Sequence, residues 1–235
     1  MSRRPVFDLQ TRHLCEIASI ARQHGLALIS DEVFADYPIA ATQVGSALLP
    51  SSVRRSRPVA LAGEDLPLTF VLGGLSKSAG LPQLKLGWIA VGGTPAHVVE
   101  AMDRLETICD AYLSVATPVQ NAAADLLHSG AAVRAQIQDR VRSNYAHLVS
   151  MSAAHPWCSV LPVEAGWYAV VRVPAVASED TIVLNLLEHT GVLVHPGYFF
   201  DFEREAFLIV SLLPEPGVFA PATQALFGQI GRADD

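Results

Sequence analysis

The sequence predicts an α/β protein in two parts. Residues 1–153 form part of a large domain with a mainly parallel sheet, and residues 154–235 form a small α+β domain. Three observations carry this reading. Short apolar runs alternate with helical patterns through the first part. The texture changes after His155-Pro156 to strands interleaved with two helices. Two of the apolar runs end in chemistry-bearing residues, as strands of open α/β sheets do at their carboxyl ends.

Asp8 is placed to cap a helix over residues 9–24, with Leu14, Ile17, Ala18 and Ala21 at helical spacing and Gly25 as its stop. Leu26–Ser30 is a short apolar run ending in Asp31-Glu32, the pattern of a buried parallel strand. Residues 38–67 are rich in Pro, Ser and small residues and read as loop with one short helix. Residues 69–73 and 87–91 read as strands. Residues 96–128 read as a long helix broken near Thr117-Pro118, and 131–153 as another. In the second part, residues 167–173, 192–195 and 207–213 read as strands, and 180–189 and 221–230 as helices.

Composition narrows the function classes. Of the 235 residues, 51% are hydrophobic and 17% charged, which is a globular composition and not a disordered one. A net charge of −7 with no basic cluster argues against a nucleic-acid partner; Arg54-Arg55-Ser56-Arg57 reads as a solvated loop. Cys15, Cys109 and Cys158 are odd in number and far apart, which points to reduced core thiols in a cytoplasmic protein and to neither a disulfide frame nor a zinc site. Arg3-Arg4 precedes no apolar segment, and no run reaches membrane-spanning length, so neither a signal peptide nor a membrane anchor is expected.

The chain is organised around Val71–Val91, VLGGLSKSAGLPQLKLGWIAV. The sequence uses 14 arginines and only two lysines, Lys77 and Lys85, and both lie in this stretch. An amine differs from guanidinium in that it can lose its proton and attack a carbonyl. A phosphate-binding GxxxxGK[ST] loop fails because Ser76 stands where Gly is needed. A GxSxG nucleophile elbow fails because Gly74-Leu75-Ser76-Lys77-Ser78 lacks its last Gly. What survives is a Schiff-base lysine at one strand end and an acid, Asp31, at the next, the pair that pyridoxal 5'-phosphate requires.

Leu28–Tyr37 (LISDEVFADY) and the later GGLSKSAGLPQLKLGW together resemble the class I and II aminotransferases of fold-type I. Residues 194–200 (VHPGYFF) and 207–213 (FLIVSLL) resemble that family's C-terminal domain. The resemblance implies a pyridoxal-phosphate enzyme that moves amino groups between an amino acid and a 2-oxo acid. It implies that Asp31 holds the pyridine nitrogen protonated. It also implies that Lys77 holds the cofactor aldehyde and shuttles a proton once the substrate releases it. Ser76 and Lys85 fall near the positions that bind phosphate, and a homodimer is implied where the enzyme is complete.

The departures from the family pattern are as informative. Phe34 stands where a Tyr usually hydrogen-bonds the ring's phenolate oxygen, and Gly74 where a Ser usually binds phosphate, so Ser76 or the backbone would have to serve. Lys85 replaces a phosphate-clamping Arg and reads either as a phosphate ligand or as surface charge. Ile209 replaces the substrate-carboxylate Arg; Arg172 is a candidate substitute, although an arginine so placed is more often a strand-end surface cation than a carboxylate clamp. Glu32 reads as a structural neighbour, Tyr198 as packing, and His195 as a polar residue without proton-transfer duty. The resemblance begins in the middle of the family pattern, so the chain looks like the C-terminal part of such an enzyme. A non-catalytic remnant, or another reaction on the same cofactor such as C–S lysis or decarboxylation, are the rival readings.

Overall fold

The computed structural model describes residues 11–39, 67–112, 114–204 and 206–230. The Asp8 cap, most of the expected loop at 38–67, and the side chains of Leu14 and Cys15 lie outside the described residues. Those described fall into two compact units, one from residues 11–36 and 67–134, the other from 37–39 and 135–230.

In the first unit, α1 (Thr11–Gln23) stops as the sequence predicts. Gly25 turns left-handed at φ +60°, and Leu26 N–H bonds back to Ala21 O at 2.8 Å, closing the helix end. Ala18 and Ala21 face inward, whereas Ile17 lies at the surface. β1 (Leu28–Asp31) pairs in parallel with β2 (Thr69–Gly74). β3 (Gly87–Gly92) is antiparallel to β2, and the order is β1-β2-β3. The parallel pairing follows the expected sheet; β3 departs from it because residues 75–86 hold only a helical turn, α2 (Leu75–Ser78), and a 3-10 turn (Pro82–Leu84). A parallel return ordinarily needs a full crossover helix. Among the described residues β1 is an edge strand and not the buried strand expected: Ile29 is 72% exposed.

Helix α3 (Pro95–Asp110) starts with Pro95 in its first turn, where the missing N–H costs nothing. Helix α4 runs unbroken over Thr117–Ala153. The break expected at Thr117-Pro118 is real, and the one expected between 128 and 131 is absent. Gly130 there is not a stop signal. A Cβ on it would lie 2.6 Å from Ala79 Cβ, so the glycine lets the helix sit directly on the segment after α2. Among the described residues no helix is long and apolar enough to cross a membrane.

The second unit is built on a four-stranded sheet in the order β4-β5-β7-β6, all neighbours antiparallel. Its strands are β4 (Ser159–Val160), β5 (Tyr168–Arg172), β6 (His195–Pro196) and β7 (Phe207–Ser211). Sequence patterning missed β4, which is two residues long. Leu212 N–H to Trp167 O and Val173 N–H to Ala206 O carry the central ladder past the formal strand ends. Helix α5 (Glu179–Thr190) is capped by Ser178, whose Oγ accepts Thr181 N–H, and it ends on Gly191 at φ +72°. Helix α6 (Pro216–Ile230) begins five residues before the expected start, so Pro221 sits inside it. Leu148, Leu186, Leu208, Leu212, Leu226 and Phe227 fill the core. Tyr37 joins this unit, fully buried, with its ring edge-on to Trp167 at 5.1 Å. Cys158 is buried but Cys109 is exposed, which corrects the reading of it as a core thiol.

Two polar side chains are built into this core. Glu179, 1% exposed, accepts Tyr198 N–H at 2.9 Å and Phe207 N–H at 2.8 Å. Asn144 donates to Leu212 O and Pro214 O. Both meet backbone groups that would otherwise be buried without partners. Removing Glu179 leaves two donors unsatisfied, so Glu179→Ala is expected to cost on the order of 3 kcal/mol in urea unfolding, far above an ordinary surface substitution.

Gly130→Ala gives a second check on the packing. Alanine is normally favoured in a helix over glycine by about 1 kcal/mol. Here the added methyl meets Ala79 Cα at 2.9 Å, so a net loss of stability is expected. A gain in unfolding midpoint would show that α4 does not rest on Ala79.

Candidate active site

The parallel register sets the site. Asp31 aligns with Leu72, and β2 runs only two residues further, to Gly74, before turning into α2. The last residue of β1 and the turn that carries Lys77 are therefore at the carboxyl ends of adjacent parallel strands. Glu32 N–H extends the ladder to Leu72 O at 3.0 Å. Asp31 is exposed, and its Oδ1 accepts Val33 N–H at 3.2 Å, which orients the carboxylate over its own turn. Glu32 takes Ser30 Oγ–H at 3.2 Å, a local structural contact.

Lys77 is half-buried in α2, and its Nζ stands 5.5 Å from the centre of the Phe34 ring. This cation–π contact is a direct link between the turn after β1 and the turn after β2. Position 34 thus faces the lysine, as a residue serving the ring oxygen would need to, but it brings a π-face and no hydroxyl. Ser76 is half-buried beside Lys77. Gly74 is buried, and a Cβ there would lie 3.1 Å from Leu86 O, so backbone closes in on that position from β3's side.

Lys85 is exposed and left-handed at φ +53°, closing the 3-10 turn with its N–H on Pro82 O. A left-handed non-glycine residue is uncommon and marks a tight connection. Arg172 belongs to the second unit, exposed at the end of β5 between Ser159 and Phe207. Asp31, Ser76, Lys77 and Lys85 belong to the first unit, and Arg172 belongs to the second. Ile209 is buried at the middle of β7, opposite Val170 and His195.

Sequence reasoning missed Arg134. Its Nη1 donates to Ser78 O at 2.8 Å and lies 4.0 Å from Asp36 Oδ2. It sits within a long helical pattern, and no local signal separates it from a solvated arginine. Tyr198 was expected to pack; it is half-exposed and donates its hydroxyl to Asp180 Oδ1 at 2.8 Å. His195 is exposed beside the rings of Phe199 and Phe200.

Solved aminotransferases share this fold. The aromatic aminotransferase of Pyrococcus horikoshii superposes with a TM-score of 0.72 at 20% identity, covering 96% of this chain and 57% of that one. An aminotransferase of Mycobacterium tuberculosis gives 0.73 at 19%, covering 95% and 54%. The class is thus the fold-type I aminotransferase architecture, of which the chain spans just over half. Within that class, the chain belongs to the aminotransferase class I and II family, whose model matches residues 7–215. Among curated relatives, the glutamate-pyruvate aminotransferase of Escherichia coli K12 is 28% identical over 109 residues, 46% of this chain and 24% of the relative. Capreomycidine synthase of Streptomyces vinaceus is 30% identical over 145 residues, 61% of this chain and 36% of the relative.

The Tyr198 contact has a measurable consequence. Its hydrogen bond to Asp180 raises the phenol above its ordinary value, with desolvation and the charges of Asp180 and Glu179 adding to it. The fold favours the protonated phenol, so the contribution is present below the unfolded value and is lost as pH rises through the folded one. In an ultraviolet titration, the Tyr198→Phe difference spectrum should show late ionisation, and Asp180→Asn should bring it back to the ordinary range.

Proposed function

We propose that this chain carries the amine-and-acid part of a pyridoxal-phosphate-dependent aminotransferase, acting on an amino acid and a 2-oxo acid. The single observation behind it is the parallel β1–β2 register, which sets Asp31 and the Lys77 turn side by side. An acid and an amine so placed fit a pyridine ring bearing an aldehyde. When bound, that cofactor supplies an electron sink for the substrate's α-carbon. Asp31 would pair with the ring nitrogen and favour its protonated form. Lys77 would be the residue that holds the cofactor's aldehyde end, and its amine would be the group that carries a proton. Ser76 and Lys85 bind toward the phosphate, Lys85 as a point charge without the forked geometry of arginine. Arg172 takes the substrate carboxylate, and the complete enzyme works as a homodimer.

A second reading is favoured by Ile209. Its buried apolar side chain occupies the position where the resemblance would put the substrate-carboxylate arginine, and one of the relatives above is named a synthase and not an aminotransferase. The alternative is an elimination of the C–S lyase kind on the same cofactor.

Addition of pyridoxal phosphate to the purified chain is expected to give a visible absorption band that is absent in Lys77→Ala and weakened in Asp31→Asn. Amino transfer to a 2-oxo acid supports the first reading, and release of ammonia and a 2-oxo acid the second; no band at all sinks both. Phe34, Gly74 and Lys85 each remove or weaken a contact, so the dissociation constant should be weaker than about 1 μM. Phe34→Tyr should tighten it, and tighter binding by the unaltered chain would refute the account of these three positions.

A further inference from the structure

The helix that supports the lysine turn carries a residue whose contacts fit a defined task. Gly130 and Arg134 lie one turn apart on the same face of α4. Gly130 lets that face rest on Ala79, two residues beyond Lys77. From there Arg134 reaches in two directions. Its Nη1 donates to Ser78 O at 2.8 Å, the carbonyl directly after Lys77 and at the end of α2, which has no further helical turn to bond it. The same nitrogen lies 4.0 Å from Asp36 Oδ2, on the segment that follows Asp31 and Phe34, an ion pair at its outer limit. Its side chain is 30% exposed, so the guanidinium is partly withdrawn from water while it makes these contacts.

We propose that Arg134 is a positioning residue for the Lys77 amine. It anchors the backbone of the lysine turn to the helix behind it and, through Asp36, to the turn after the acid. The two strand tips thereby keep a fixed separation. Arginine suits the task because one planar group can face a carbonyl and a carboxylate at once, and its charge is never lost. The contact with Phe34 holds the amine from the side-chain end, and Arg134 holds the same residue's turn from the backbone end. What this sets for the cofactor rests on the reading given under Proposed function; what it sets for the amine does not.

The test uses the full chain, first without cofactor. Trinitrobenzenesulfonate labels free amines, and peptide mapping separates Lys77 from Lys85, which serves as the internal reference. In Arg134→Met the turn is released, and the Lys77-to-Lys85 labelling ratio should rise about threefold or more, the size of losing part of one charge-assisted hydrogen bond. Arg134→Lys keeps a cationic donor and should hold the ratio near that of the unaltered chain. If Arg134→Met does not fold by circular dichroism, Arg134→Gln takes its place. With pyridoxal phosphate added, the dissociation constant read from the absorption band should weaken by about tenfold in Arg134→Met. An unchanged labelling ratio in Arg134→Met overturns the proposal, as do equal rises in the Met and Lys variants. Absence of a band in the unaltered chain sinks the cofactor reading alone and leaves the labelling result to decide the role of Arg134.

Discussion

One constraint organises the first unit: β1 and β2 run in the same direction and in a single register. Because Asp31 faces Leu72 across the ladder, the chain leaves both strands at nearly the same height. A slip of one residue would turn the acid to the opposite face, since side chains alternate along a strand. Backbone hydrogen bonds continue past the formal end of β1, at Glu32 N–H, and so extend the register to the point where the carboxylate departs. Every feature of the candidate site is downstream of that alignment. Phe34 can touch Lys77 only because the two turns emerge together.

The second unit solves a different problem with buried polar groups. Its antiparallel sheet ends in irregular connections whose donors and acceptors would be stranded without water. Glu179 takes two of the donors and Asn144 satisfies two of the acceptors. Gln138 and Arg142 both donate to Pro38 O, which ties residues 37–39 into this unit although they follow the acid motif directly in sequence. The stretch from Asp31 to Ile39 therefore carries a site element at one end and, from Tyr37 on, a structural element of the other unit. A substitution anywhere in it is read differently according to which side of Asp36 it falls on.

Sequence patterning placed Asp31 at the end of β1 and Lys77 in the turn after β2, where the structure has them, because each is announced locally. Asp31 ends an apolar run, and Lys77 is one of two lysines in the chain. Strand direction was less legible, since periodicity records which residues face inward and not which way a strand runs; β3 turns back because its connection is short. The expected helix bounds at 128–131 and at 221 were both overridden: Gly130 packs closely on Ala79 within one continuous helix, and the last helix has already begun at Pro216. Arg134 could not be found at all. Its partner Ser78 is 56 positions away, and nothing in its own neighbourhood distinguishes an anchoring arginine from a solvated one. Glu179 was hidden for the same reason, because an acid in the first turn of a helix is ordinary and its burial is a tertiary fact.

Three departures from the family pattern, Phe34, Gly74 and Lys85, lie in the first unit, and Ile209 lies in the second. Gly74 leaves no side chain where a hydroxyl would bind, and the carbonyl of Leu86 occupies the space against it. Phe34 offers its ring to the lysine ammonium, a contact that a charged amine makes and a neutral one largely loses. With no hydroxyl at position 34 and no side chain at position 74, the lysine turn is met by the Phe34 ring at its amine and by Arg134 on the carbonyl of Ser78.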